Sequence, residues 1–229
     1  MAATLPGTGS RPEQTLALNM RLLAHHELQG FGGIGEGMAM QITRDRRRIL
    51  WLAHESAPKN FTAVDVTDPR APKVVVQTEL PHARVRSNSL DIVGDTMIVA
   101  YQTKEVGMKP AGFDIFDISK PETPRLVSHF DASGPHSRGV HAVWFVDGEF
   151  VHMAGGAADF TPTHPGDDQF YRIIDVRNNS RPVEAGRWWY PGTRAGDSAP
   201  PPQRMEPKFD TGFRAHNTNV FPQRPDRAY

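Results

Sequence analysis

The chain carries ten histidines and no cysteine. Any metal or acid–base chemistry therefore falls to imidazole, carboxylate and guanidinium groups, not to thiolates. His141 and His216 each open an apolar, strand-like run, as does Asn88. Aligning these runs by the strands that follow puts Asn88, His141 and His216 in equivalent positions, with Met38 the approximate match in an earlier run. Two imidazoles and an amide at one point would form half of a metal site suited to Zn, Cu or Fe, with His141 and His216 as ligands. The plainer alternative is that they bond water and loop backbone and hold neighbouring elements together.

Arg86, Arg138 and Arg214, with Arg84, also lie shortly before these runs. Converging guanidinium groups can clamp a carboxylate or phosphate bidentately, and Asn88 joins them as a candidate ligand-binding group. Solvated arginines paired with loop carboxylates are the commoner outcome. Asp159, His164, Asp167 and Asp168 invite a hard-cation reading, but their spacing matches no calcium loop. The glycine-rich stretch 30–37 lacks the Lys-Ser/Thr of a phosphate loop and precedes a strand, so it reads as a tight passage into that strand. Neither a Gly-x-Ser-x-Gly elbow nor a His-Glu-x-x-His helix is present.

The elements that must position these groups are short strands. Twenty glycines and twenty prolines in 229 residues disfavour long helices. Three segments repeat one pattern, beginning at Phe61, Phe113 and Tyr171, so that the starts are 52 and 58 residues apart. Ahead of each lies an apolar hairpin: 38–43 with 49–53, 90–93 with 97–101, and 143–146 with 150–153. Gly94-Asp95 and Asp147-Gly148 mark two of the turns. After each repeat comes a fourth strand, at 73–80, 125–132 and 183–189. Units of about 50 residues with four strands are the pattern of β-propeller blades. In each repeat an aspartate (Asp65, Asp117, Asp175) precedes the turn, where it is expected to accept backbone N–H groups and hold that turn.

The repeats read Ala63-Val64-Asp65-Val66-Thr67-Asp68-Pro69-Arg70-Ala71-Pro72 and Ile115-Phe116-Asp117-Ile118-Ser119-Lys120-Pro121-Glu122-Thr123-Pro124, with a looser third copy at 173–182. They resemble the LVIVD-repeat propellers over nearly the whole chain, about residues 21–229. The third copy departs at Asn178-Asn179-Ser180, which replaces the Asp-Pro turn. More distantly, His216-Asn217 is similar to histidine-bearing motifs of selenium-binding-protein-like propellers. The resemblance implies a fold and leaves function to the site.

The expected architecture is thus all-β, a β-propeller of four-stranded blades with about three complete blades at 37–80, 88–132 and 140–189. A tail is expected at 1–20, a closing N-terminal strand from Arg21 to Leu28, an insertion at 190–215 and the start of a further blade at 216–229. The closing strand is read from its register with 125–132. A partial ring leaves unpaired edges, so the isolated chain is expected to self-associate by strand addition. Long loops at 103–111, 154–169 and 189–215 gather on one face, which is the expected place of function.

Equal numbers of basic and acidic residues, 26 of each, argue against a nucleic-acid or anionic-membrane surface. No apolar stretch is long enough to span a bilayer. The first eleven residues lack the pattern of a signal peptide, which points to the cytoplasm without excluding export. Two functions follow. The primary reading is a scaffold that presents its long-loop face to a small molecule or protein. The alternative is a metal-dependent hydrolase, lyase or oxidase, with Arg138 and Arg214 orienting an anionic substrate.

Overall fold

The computed structural model describes residues 19–206, 210 and 212–229. The tail expected at 1–20 lies outside them except for Asn19 and Met20. The chain is all-β, and every strand pair among the described residues is antiparallel. The helical content among those residues is two short 3-10 turns, Leu28–Gly30 and Pro165–Asp167. No helix there is long and apolar enough to cross a membrane.

Three sheets follow one another along the chain. The first is the meander β1 (Ile34–Ile42), β2 (Arg48–His54), β3 (Lys59–Asp65) and β4 (Lys73–Glu79). The second contains β5 (Val85–Arg86), β6 (Leu90–Val93), β7 (Thr96–Thr103), β8 (Gly112–Asp117) and β9 (Arg125–Asp131), with β5 and β6 both pairing to β7. A small hairpin, β10 (Ser133–Gly134) with β11 (Ser137–Arg138), leads to the third sheet. That sheet is β12 (Val140–Trp144), β13 (Phe150–Gly155), β14 (Phe170–Asp175) and β15 (Val183–Trp188). A last hairpin joins β16 (Val220–Phe221) to β17 (Arg224–Ala228).

The predicted turn chemistry is present in all three repeats. Asp65, Asp117 and Asp175 each accept the backbone N–H two residues on, at 2.9, 2.9 and 3.0 Å. These carboxylates therefore cap turns and do not form a cation-binding ring.

The core lies between neighbouring sheets. Successive side chains on a strand point to opposite faces, and β7 shows the consequence. Met97, Val99 and Tyr101 pack with Trp51, Phe61 and Phe116 on the side of the first sheet. Ile98 and Ala100, between them in sequence, pack with Phe145, Val151 and Met153 on the side of the third. Two polar groups caught in the first layer are paired: the Trp51 indole N–H donates to Gln41 Oε1 at 3.0 Å, and Gln41 Nε2 donates to the Ile118 carbonyl at 3.0 Å. Side chains also stitch β6 to β12. Ser89 Oγ accepts the Val143 N–H at 3.1 Å, and Asp91 Oδ2 accepts the Phe145 N–H at 2.8 Å.

Three expectations are corrected. Residues 21–27 form no strand, and Leu22 is 82% exposed; a strand without a neighbour to complete its hydrogen bonds gains nothing from extending. The glycine-rich stretch is not wholly a passage, because β1 begins within it at Ile34. The last hairpin, for which the sequence suggests a polar turn from Pro222 to Asp226, turns at Pro222 and Gln223 alone, and Arg224 to Asp226 belong to β17.

Candidate metal centre

Glu36, His141 and His216 converge, each offering a ligand atom, with all three atoms within 4.8 Å of one another. They come from β1, from β12 and from the segment ahead of β16. Trp144 of β12 meets Phe221 of β16 edge to face, with ring centroids 6.4 Å apart, which draws the two elements together. Ala215 is held on both sides: its N–H donates to the Gln169 carbonyl, and its own carbonyl accepts from Gln169 Nε2, both at 3.1 Å. His216 follows directly.

Glu36 reaches the site because two glycines flank it. A Cβ on Gly35 would lie 2.6 Å from the Asn88 carbonyl oxygen, and one on Gly37 would lie 2.1 Å from the Leu90 nitrogen. Only bare backbone fits that close to the second sheet. The intervening residue points to the other side of the strand, which sends the Glu36 carboxylate away from this contact.

His141 is the buried member, while Glu36 and His216 are exposed. Burial first, and then the charges of His216, Arg86 and Arg214, push the His141 pKa down to about 4, against a rise from Glu36. The ring is neutral at physiological pH. Its Nδ1 lies 3.1 Å from Gln102 Oε1. That oxygen can only accept, since Gln102 Nε2 already donates to Gln169 Oε1 at 2.8 Å and Arg86 donates to Oε1 from Nε and Nη2 at 3.1 and 2.6 Å. The proton of neutral His141 is thus on Nδ1 and the lone pair on Nε2. Arg86 Nη2, 3.5 Å from the same Nδ1, is the longer and weaker contact. His216 Nδ1 lies 2.9 Å from Asn217 Oδ1.

The two Nε2 atoms face each other at 3.0 Å, and His141 Nε2 is 3.9 Å from Glu36 Oε1. That separation suits an N–H···N hydrogen bond donated by one ring, and it equally suits two lone pairs turned toward one bound cation. A metal ion roughly 2.1 Å from each nitrogen would be held by both rings at once. Glu36 Oε1, on a half-exposed side chain, stands farther off than the two nitrogens stand from each other. Two imidazoles and one carboxylate are the donor set of a 2-His-1-carboxylate metal site, and these three residues would hold such an ion.

The other candidates are placed as follows. Arg86 sits opposite Gln102 across the β5–β7 pairing and forms an ion pair with Glu55. Arg138 Nε donates to Asp168 Oδ2 at 2.6 Å, and Arg214 Nη1 to Asp168 Oδ1 at 3.4 Å. Arg138 and Arg214 therefore meet on a buried loop carboxylate. Asn88 is buried, and neither of its amide atoms has a hydrogen-bond partner among the described residues. Asp167 is held by Arg204 at 2.9 Å, so the acidic group of the long loop is an arginine-bridged tie and not a cation site. The insertion 190–215 is fastened to loop 154–169 by backbone bonds such as Thr163 N to Thr193 O at 2.8 Å.

Glu36, Gln102 and Gln169 were not anticipated from sequence. A register shift in β1 between Ile34 and Met38 displaces the alignment that had pointed to Met38, and Met38 itself is 62% exposed. The available signal was a lone carboxylate between two glycines. No protein-family model matches the chain, and a comparison with curated proteins finds no match.

Proposed function

We propose that the chain binds a divalent transition metal through His141, His216 and Glu36, and that it works as a metal-dependent enzyme with open coordination positions. The observation that carries the reading is the pair of Nε2 atoms 3.0 Å apart, each on a ring whose Nδ1 faces an amide oxygen. Ligating histidines are held in this way by an outer acceptor that fixes tautomer and orientation. The donor set of two imidazoles and one carboxylate favours Fe(II), with Zn and Cu as the competing occupants. A metal there would polarise a substrate oxygen or activate water. Gln102 would fix the His141 ring, Asn217 the His216 ring, and the tied loops 154–169 and 190–215 would limit solvent on that side.

In the same reading the three antiparallel sheets are blades of an LVIVD-type β-propeller, whose first strands β1, β6 and β12 line its channel. This is supported by the 52- and 58-residue repeat and by the shared cavity of about 200 Å³ lined by Glu36, Met38, Asp91, Val143 and Asn217. The scaffold reading keeps one supporting observation, the gathering of long loops near the site.

Metal analysis of protein loaded in turn with Fe(II), Zn(II) and Cu(II) tests the proposal. One equivalent of metal, lost in His141→Ala and in His216→Ala with folding retained, is expected. Absence of stoichiometric metal after all three loadings would overturn it and leave the scaffold.

A further inference from the structure

Next to the histidine pair, a cleft of about 350 Å³ is lined by Glu55, Arg86, Gln102, Lys104 and Arg138. Its volume falls within the range of small-ligand pockets, roughly 300–1,000 Å³. Three of these side chains are cationic and one is anionic. Lys104 is exposed and forms no ion pair among the described residues. Arg86 is anchored at the back by Gln102 and reaches Glu55 at the front. Burial lowers its pKa first, Glu36 opposes that, and the nearby Arg138 lowers it further. Arg138 is held by Asp168, whose charge is shared with Arg214.

From these placements we infer that this cleft is an anion site, taking a small oxyanion, either a carboxylate or a phosphate, between Arg86, Lys104 and Arg138. Arg86, fixed by the buried Gln102 amide, and Arg138, fixed by the buried Asp168 carboxylate, lose little freedom when they engage an oxyanion, which favours them over free surface arginines. Glu55 occupies the position such an anion would take on Arg86. It is half exposed, so it can swing into solvent when displaced. The site does not depend on the metal reading, because none of its groups is a proposed metal ligand.

The test uses the 229-residue chain freed of metal by chelation. Inorganic phosphate and malonate are titrated separately by calorimetry at low salt. Saturable one-to-one binding of either anion is expected, and which of them binds more tightly identifies the headgroup. Lys104→Gln removes an exposed charge and should weaken binding about two- to five-fold. Glu55→Gln frees Arg86 and should tighten it by a similar factor. Absence of saturable binding for both anions would overturn the proposal, as would affinities that neither substitution changes. So would weaker binding in Glu55→Gln.

Discussion

Gln102 holds His141 in place: its Oε1 lies 3.1 Å from Nδ1 of the buried ring, and its own Nε2 is committed to Gln169. One amide thus fixes which nitrogen of His141 is free to bind. Gln102→Leu removes that acceptor and strands Arg86 and Gln169. Metal affinity is expected to fall about 10- to 100-fold. The folded state should lose about 1–3 kcal/mol through the unpaired buried groups. Calorimetric titration with metal, beside a thermal melt of the metal-free protein, separates the two effects.

The glycines around Glu36 offer a steric test. Gly37→Ala places a methyl group where the Leu90 nitrogen stands 2.1 Å away, so β1 must retreat from β6. A loss of about 1–3 kcal/mol is expected, together with weakened metal binding as Glu36 moves. Gly33→Ala is the control, since a Cβ there meets nothing within 4 Å. It should change stability by no more than about 0.5 kcal/mol. Chemical denaturation of both variants checks the contrast.

Ser89 and Asp91 stand in for the strand that β12 lacks on one side. Asp91→Ala leaves the Phe145 N–H without its acceptor at 2.8 Å and is expected to cost about 1–3 kcal/mol. Asp91→Asn keeps one acceptor oxygen for the two N–H groups, of Ile92 and Phe145, that the carboxylate accepts, and should recover only part of the loss. If both variants melt alike, the hydrogen bond is not what binds the second sheet to the third.

Acid should destabilise the protein in two stages. Burial depresses the pKa of His54 and of His152 below the usual 6.5. In the unfolded chain these rings take up protons that the folded chain refuses. Stability is therefore highest above about pH 6.5 and falls as pH drops through that value towards the folded pKa values. Asp117 supplies the second stage. The Ser119 backbone N–H and hydroxyl, followed by Arg125, hold its pKa at about 2 against 3.8. Its stabilisation is present above about pH 3.8 and disappears as pH falls towards 2. Denaturation midpoints between pH 2 and 8 should show both declines; His152→Phe should flatten only the upper one.

The strands were legible from sequence because alternation and turn residues agree: Gly94-Asp95 sits between β6 and β7, and Asp147-Gly148 lies in the turn between β12 and β13. The aspartate turns were equally legible, since an Asx turn is local. The segment from Arg21 was not, because matching the register of a strand does not provide the neighbour it needs. His141 and His216 could be singled out by their equivalent starts. Glu36 could not, because the irregularity in β1 breaks the alignment. Gln102 and Gln169 carry no charge to mark them, and their role exists only once β7 and loop 154–169 are packed together.

The strand β7 is a party wall. Its odd-numbered side chains belong to one hydrophobic layer and its even-numbered ones to the next, so neither layer can melt while leaving the other its full boundary. A chain assembled from repeats would otherwise come apart one sheet at a time, as arrays with only nearest-neighbour contacts tend to do. Here a void opened at Met97 and another opened at Ile98 strain the same backbone from opposite sides, and the two layers are bound to stand or fall together.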